Sequence, residues 1–544
     1  MAGQLSATGI VFSDEFTGNG PIDSGKWNYH EVKDWNNNTG YYGRTQQRQE
    51  LPHMQDGALR LRLDSYIPNS VENASFYGSE AITYQKFDLS NGPIAFEAKF
   101  KFAQAQPGII GGFFTYALPV ETHDEIDFEA LSNVQSKIQT NIYANEGLGE
   151  GSPISYDLSN TLLDYHVYRI EWLPNAIRWL VDGEVVRVET NKLPQKAMEL
   201  HLNIWAPPAN WATGDSSLVP AQSEAANQTF YFDVDYVKVE TVSQVLAGAA
   251  NEPVLGTAAS EYLAGTHADD RFVGHGGDDF IDGGDGVDTA VYEAASQAFS
   301  VSVAAGSEIA QVRDRSGAAG KDTLLGIETV AFEDHELDLA ALVRAGELDA
   351  ADFVPLVDLY VAYLDRAPDS AGLAYWAGRL ADGASVASIA REFFHSGESR
   401  EVHGETVSAA ALVDAAYAEI LGREPDEAGR QYWIGSLESG DLGYENFALA
   451  FVLAARGAAG GSDAEAIAAK ARVGAYYALE NGFNGGELAR SAIDAATEQE
   501  AREAIDSHAA ALESGAETGL VTRLAGVGFD AHANAASYGV SVWA

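Results

Sequence analysis

The stretch HDEIDFEAL, residues 123–131, sets three carboxylates at every second position: Glu125, Asp127 and Glu129. On a helix they would step through about 200° each and share no face; on a strand all three point one way while Ile126 and Phe128 point the other. Like charges side by side repel, so such a row is either a solvated outer face or a working one. The working reading is glycoside hydrolysis, in which one carboxylate attacks an anomeric carbon and one carboxylic acid protonates the leaving oxygen. Crowding supplies the asymmetry this needs, because a neighbouring negative charge raises the pKa of the acid that must stay protonated. Distance is the obstacle. Four residues of flat strand separate Glu125 from Glu129 by roughly 13 Å, whereas a retaining pair stands about 5–5.5 Å apart. The side chains must lean together on a concave sheet.

The elements that would position such a row are legible around it. Residues 8–242 hold short alternating segments, among them GALRLRLDSY, IAFEAKFKF, KIQTNIYA, YRIEWL, IRWLVDGEVVRVE and FYFDVDYVKVE. Period two with turn residues between, such as Asp182-Gly183, predicts antiparallel strands in a sandwich or barrel. Sugar binding needs flat apolar faces and hydroxyl partners. Phe114 and Tyr116 on the strand before the motif, Asn141 and Tyr143 on the strand after it, and Trp205 and Trp211 in NIWAPPANWATGD are the candidates, with core packing the alternative for each. The loop WNNNTGYYGR, residues 35–44, could rim a cleft or be an ordinary turn. Trp172 and Trp179, in alternating apolar strands, are expected in the core.

At this point DEIDFE resembles the signature of glycoside hydrolase family 16. FSDEF, DGALRLRL, GIIGGFFTY, QTNIYAN, YHVYRIEWLPNAIRWLVDGEVVR, LHLNIWA and FDVDYVKV fall in the family's order and spacing over about 235 residues. The resemblance implies a bent antiparallel β-sandwich jelly roll of the concanavalin-like type and an endo-acting, retaining β-glycanase. Glu125 would be the nucleophile, Asp127 its helper and Glu129 the general acid/base. No extra residue bulges the strand before Glu129, as in lichenases and xyloglucan enzymes. The flanks depart from both: His123 stands where lichenases usually carry Trp, and Ala130-Leu131-Ser132 replaces their usual Phe-Leu-Gly. His123 is read as hydrogen-bonded beside the site. By the same resemblance Asp235 would be a structural Ca²⁺ ligand.

Composition changes near residue 242, where SQVLAGAANEPV reads as a linker. Residues 256–291 repeat every nine residues, GTAASEYLA, GTHADDRFV, GHGGDDFID and GGDGVDTAV, with an apolar residue at each eighth place and Asp270, Asp279 and Asp288 at the sixth. This resembles the calcium-binding RTX β-roll, a short parallel structure in which Ca²⁺ takes carbonyl and Asp oxygens. RTX proteins leave Gram-negative bacteria by type I export without a cleaved N-terminal signal. That implies a secreted, extracellular protein and the type I secretion apparatus as a partner, with an export signal in the tail. The absence of cysteine excludes disulfides and thiolate chemistry. The net charge of −47 argues against nucleic acid and anionic membranes as partners, and no apolar run approaches the roughly 18 residues of a membrane span. Ca²⁺ is therefore expected as a structural ion, with no cofactor for the chemistry.

From residue 351 the chain turns helical and duplicates itself. LVDLYVAYLDRAPDSAGLAYWAGRL and LVDAAYAEILGREPDEAGRQYWIGSL align Arg366 with Arg423 and Trp376 with Trp433. Tyr375, Trp376, Tyr432 and Trp433 are expected as core, with a sugar platform the sharper alternative. The organisation expected is thus a β jelly roll over 1–242, a roll with a closing β segment over 243–350, and an α-helical region over 351–544. The substrate expected is a polysaccharide, β-1,3-1,4-glucan first, then a bacterial exopolysaccharide or xyloglucan, with hydrolysis or transglycosylation both open. A non-catalytic carbohydrate-binding matrix or adhesin protein is the alternative of another class.

Overall fold

Two Asp-Gly pairs turn hairpins as their residue types require. Asp56 and Gly57, and likewise Asp182 and Gly183, all adopt positive φ, the left-handed conformation that a two-residue turn of this hand demands of both central positions. The strands they join, His53–Gln55 with Ala58–Asp64 and Ile177–Val181 with Glu184–Glu189, pair antiparallel. The computed structural model describes residues 3–28, 44–48, 50–68, 74–147, 149–208, 215–248, 252–304, 306–404, 408–457, 461–485, 487–514 and 519–525. The chain divides into two compact units, Met1–Gln244 with Ser260–Tyr262, and Val245–Ala259 with Leu263–Ala544.

The first unit is an antiparallel β-sandwich of the jelly-roll type. One sheet, the cleft sheet, runs in the order Ile154–Asp157, Lys137–Glu146, His123–Leu131, Ile110–Ala117, Met198–Trp205, Phe76–Phe87, Trp27–Asn28. The outer sheet runs Glu184–Glu189, Ile177–Val181, His166–Trp172, Ile94–Phe102, Thr229–Val242, the last pairing also with Ala58–Asp64 and Ala7–Asp14. Alternation does the rest: Ile126 and Phe128 turn inward and are fully buried, as are Trp172 and Trp179. Phe128 lies parallel to Phe113 at 6.4 Å and edge-on to Tyr168 at 5.3 Å, and Tyr168 stacks on Phe100 at 3.9 Å. Each such ring contributes about 1.5–3 kcal/mol by burial. Trp179 reaches across the core to donate its indole N–H to the Asp127 carbonyl at 3.0 Å. The carboxylate strand is thus anchored from behind at its central residue.

In the second unit, short strands stack in parallel with partners two nine-residue repeats apart, Val254 with Phe272 and Arg271 with Thr289. The eighth-place residues Leu263, Phe272, Ile281 and Ala290 are all buried. The following strands Phe299–Ala304, Ile309–Asp314 and Lys321–Leu325 form antiparallel pairs. Ten α-helices of the described residues follow, from Phe353–Leu364 to Glu498–Glu513, after a first one at Leu339–Ala345. The sequence places a boundary at 350/351, yet roll and helices fall in one compact unit. The reason is twofold: Val521–Ala525 returns to pair in parallel with Phe299–Ala304, and one hydrophobic cluster runs from Val254 to Leu524.

The duplication has a structural counterpart. Asp369 and Asp426 cap the helices Ser370–Ala381 and Glu427–Ser439 by accepting from Gly372 and Gly429 N–H. Arg366 and Arg423 lie over Tyr360 and Tyr417 at 5.1 and 4.8 Å, and each forks onto a carboxylate, Glu398 and Asp463. Trp376 is half-buried and Trp433 buried, but Tyr375 and Tyr432 are exposed, which corrects the expectation that all four are core. Neighbouring helical residues point about 100° apart, so a Tyr-Trp pair cannot direct both rings inward.

Candidate active site

Cross-strand register lays the face opposite Ile126 and Phe128 out as rows. Glu125 stands between Tyr116 and Tyr143, Asp127 between Phe114 and Asn141, and Glu129 between Gly112 and Gln139. The next strand adds Glu199 beside Tyr116, His201 beside Phe114, Asn203 beside Gly112 and Trp205 beside Ile110. Register is unbroken from Asp124 to Glu129; the irregularity falls at His123/Asp124, where Asn145 is the extra residue with φ of 57°. Asp124 holds that corner, accepting from the N–H groups of Asn145, Gln195 and Lys196 at 2.6, 2.7 and 2.8 Å.

Each acid has a different environment. Glu125 is 13% exposed and its Oε2 lies 3.1 Å from His123 Nε2. Asp127 is buried, and its Oδ1 has no hydrogen-bond partner among the described residues. Burial first, then the charges of Glu129 and Glu125, push its pKa well above the ordinary value, against the pull of Arg187 and the Asn141 N–H. Glu129 accepts from Gln139 Nε2 at 2.6 Å. Burial and the Glu125 charge raise it to about 8, with the Gln139 hydrogen bond opposing. Gly112 is required beside it: a Cβ there would come within 2.5 Å of Asn203 Oδ1. Gly111, facing inward, would strike the Phe232 ring at 2.5 Å.

His123 is fully buried, sandwiched against Tyr116 at 5.1 Å and Tyr143 at 4.3 Å, with Nδ1 3.0 Å from the Val120 carbonyl. Burial works against its charge, but the hydrogen bond and charge of Glu125 and the Val120 and Glu146 carbonyls carry its pKa above the usual value. The face therefore sets Glu129, which keeps its proton up to about pH 8, on the same row as an imidazole whose charged form is favoured.

The structure brings Phe114, Tyr116, Asn141, Tyr143 and Trp205 to the acids' face. Phe114, Tyr116 and Trp205 are nevertheless buried, and the ring faces of the first two are taken by His201 at 4.7 Å and His123. Trp211 and residues 35–43 of the loop lie outside the described residues. Sequence reasoning missed Glu80, Gln139, His201 and Asn203. His201 Nδ1 is 3.0 Å from Glu80 Oε1, and Glu80 pairs in register with Asn203. The signal was there: in MELHLNIW the polar residues Glu199, His201 and Asn203 alternate as the acids do.

The metal residues separate. Asp235 Oδ2 receives the Lys99 ammonium at 2.7 Å. In the roll, Asp270 spends Oδ2 on the Thr266 N–H and hydroxyl at 2.7 and 2.8 Å, and its own N–H donates to Asp288 Oδ1 at 2.7 Å. Asp279 N–H donates to Asp322 Oδ1 at 3.0 Å and Asp288 N–H to Glu328 Oε2 at 2.7 Å. Asp288 Oδ2 is buried with no hydrogen-bond partner among the described residues. Burial, the Glu328, Asp270 and Asp269 charges raise its carboxyl to about 6, against the Asp270 N–H. A Cβ at Gly283 would stand 2.5 Å from that oxygen and 2.0 Å from the Gly326 carbonyl. An oxygen-lined turn that only glycine fits suits a hard cation. Among the described residues no three His, Cys, Asp or Glu side chains group for a metal, so carbonyl oxygens would have to supply most of the ligands.

Comparison with known proteins bears on the sandwich. Residues 38–227 match the profile of Glycosyl hydrolases family 16, and residues 342–401 and 390–457 each match a domain of unknown function, DUF4214. A beta-glucanase of Bacillus subtilis (strain 168) is 30% identical over 203 residues, covering 36% of this chain and 76% of that protein. The beta-glucanase of Bacillus licheniformis is 35% identical over 135 residues, 23% of this chain and 54% of that one. A solved β-1,3-1,4-glucanase (lichenase) derived from a mouse hindgut metagenome is 28% identical, covers 42% of this chain and 99% of its own, and gives a TM-score of 0.35. With three-quarters of the Bacillus subtilis enzyme covered at 30% identity and the family profile matching across the strands that carry the acid row, the chain belongs to family 16 of the glycosyl hydrolases.

Proposed function

We propose that this glycoside hydrolase is a secreted, endo-acting, retaining β-glucanase. The observation that carries the reading is the single-faced row in which Glu129 is pushed to about 8 while Glu125 faces His123. Glu125 attacks the anomeric carbon while Glu129 passes its proton to the glycosidic oxygen, and the C–O bond breaks to leave a glycosyl ester on Glu125. Glu129, now a carboxylate, takes a proton from water as that water attacks the same carbon, and Glu125 is released. Two inversions return the starting β configuration. Asp127, buried between them with its carboxyl pushed well above the ordinary value, favours the protonated form that can donate towards Glu125.

Mixed-linkage β-1,3-1,4-glucan is the first substrate to test, since the register through Glu129 carries no extra residue and the matched relatives are beta-glucanases. Proton NMR of the first products on a panel of mixed-linkage glucan, laminarin, xyloglucan and an acidic bacterial exopolysaccharide is expected to show the β anomer before mutarotation. An α anomer as first product would rule out double displacement. Binding to the panel without any turnover would favour a carbohydrate-binding protein instead.

The roll belongs to the same proposal as a structural Ca²⁺ site held by Asp288 with glycine-turn carbonyls and, in neighbouring turns, Asp270 and Asp279. Bound Ca²⁺ would supply only charge neutralisation to these crowded acids, and in its absence their repulsion would keep the repeats open during export by a type I apparatus. Thermal unfolding of the full chain is expected to move upward with Ca²⁺, and Asp288→Asn to weaken that response. A midpoint indifferent to Ca²⁺ would remove the ion from the proposal.

A further inference from the structure

The helical copies leave one aromatic ring each in solvent, and it is the same residue of each copy. Tyr375 is 42% and Tyr432 50% exposed, and from residue 339 onward no other large hydrophobic side chain of the described residues is exposed. The supporting geometry repeats as well. Each tyrosine stands edge-on to the tryptophan that follows it, at 5.0 Å and 75° in one copy and 5.1 Å and 73° in the other. The tryptophans hold the arrangement from beneath, Trp376 against Phe393 at 5.1 Å and Trp433 against Phe451 at 5.5 Å. The rings are therefore held in orientation while about half of each residue stays in solvent, the Arg379 guanidinium lying 5.9 Å from the centre of the Tyr375 ring.

What surrounds the rings narrows the ligand. Arg379 donates to the Tyr375 hydroxyl at 3.3 Å and is held by Glu392 at 2.9 Å. At the position matching Arg379 in the other copy, Ser436 donates its hydroxyl to the Tyr432 carbonyl at 2.9 Å. Each platform is a single ring in a polar, hydrogen-bonding field, whereas a protein partner calls for a contiguous apolar patch of several hundred Å². A lone rigid ring with a polar rim matches a pyranose, which has one C–H face and a periphery of hydroxyls. A net charge of −47 further disfavours nucleic acid or an anionic membrane on this surface.

We propose that Tyr375 and Tyr432 are two stacking platforms for sugar rings, making the duplicated helical region a polysaccharide-binding surface. The choice of polymer rests on the glycanase reading of the sandwich, so the two are tested by separate readouts. The full chain carrying Glu125→Gln, which cannot consume polymer, is run in native gels containing each of the four panel polysaccharides. Retardation is expected on at least one. Adding Tyr375→Ala and Tyr432→Ala together is expected to weaken it about tenfold, each single change to give part of the loss, and Phe at both positions to restore it. Turnover of a soluble tetrasaccharide by the double alanine variant with Glu125 intact should equal that of the parent. Equal retardation with and without the tyrosines, or no retardation on any polymer, would overturn the inference. A parent that hydrolyses none of the four would overturn the glycanase reading and leave the gel result to stand on its own.

Discussion

The sandwich contains two crowded rows of acids, one on each sheet, and they have opposite fates. On the outer sheet Glu97, Glu171 and Glu240 are buried, but cations lie between them: Arg169 reaches all three at 3.1, 3.0 and 2.8 Å, Arg178 meets Glu171 at 2.8 Å and Lys238 meets Glu97 at 3.2 Å. Residues Gly3 and Leu5 close the network with their backbone groups. Although burial opposes it, hydrogen bonds from Arg169 and Lys238 hold the Glu240 carboxyl below its ordinary value. On the cleft sheet no arginine or lysine of the described residues is ion-paired to Asp127 or Glu129, and burial with mutual repulsion drives both upward. Equal crowding of acids gives a structural lattice when cations are interleaved and proton-holding groups when they are withheld.

That contrast breaks hardest at Glu125. Glu125→Gln is expected to lower kcat on the polysaccharide the parent cleaves by on the order of 10⁴-fold, while the thermal midpoint stays level or rises because a repelling charge is gone. Turnover and a melting scan on one preparation decide it; more than a tenth of parental activity would unseat Glu125 as the attacking group. Next comes the outer network. Arg169→Ala removes the cation shared by three buried carboxylates and should cost about 3 kcal/mol of stability, read by urea unfolding. Activity per folded molecule should hold, and Arg169→Met with Glu171→Gln should recover part of the loss.

Glu129→Gln sits third, with a loss of about 10³-fold in kcat and a change in pH behaviour that a structural role would not produce. The parent should lose activity as pH rises through about 8, because the acid then has no proton to give; the variant's residual activity should lack that limb. Stability carries the same sign. A carboxyl raised from 4.5 to about 8 by folding contributes stability that is fully present below pH 4.5 and is lost as pH climbs through 8. Glu129→Gln should therefore gain on the parent in melting scans above pH 8 and not below pH 5.

The acid row was legible because a strand's period is two, and the same period in FYFDVDYVKVE and IRWLVDGEVVRVE gave the sandwich. The Asp-Gly turns were legible because few residue pairs tolerate their backbone. Glu80 and Asn203 escaped because register, not sequence distance, makes them neighbours of Glu129 through Gly112. Non-local pairing also hid the return of Val521–Ala525 to the roll-closing sheet. Phe114 and Tyr116 stand on the acids' face, but nothing in their own strand says that His201 and His123 would cover their rings.

His123 is the smallest lever on the comparison and the most specific. Its Nε2 lies 3.1 Å from Glu125 Oε2. Its Nδ1 faces the Val120 carbonyl at 3.0 Å, an acceptor, so Nδ1 carries a proton and the pair with Glu125 needs Nε2 protonated too. Burial weakens that second proton, and Glu125 with the Val120 and Glu146 carbonyls outweighs it, so the folded pKa is raised. A raised histidine keeps its pair at low pH and loses it as pH rises through the folded value. His123→Phe preserves a ring between Tyr116 and Tyr143 while removing the charge. It is expected to lower kcat/KM about tenfold at mildly acidic pH, with the gap to the parent closing as pH rises and the parental imidazole becomes neutral. A gap that stays constant across pH would mean the ring works by packing alone and not by its charge.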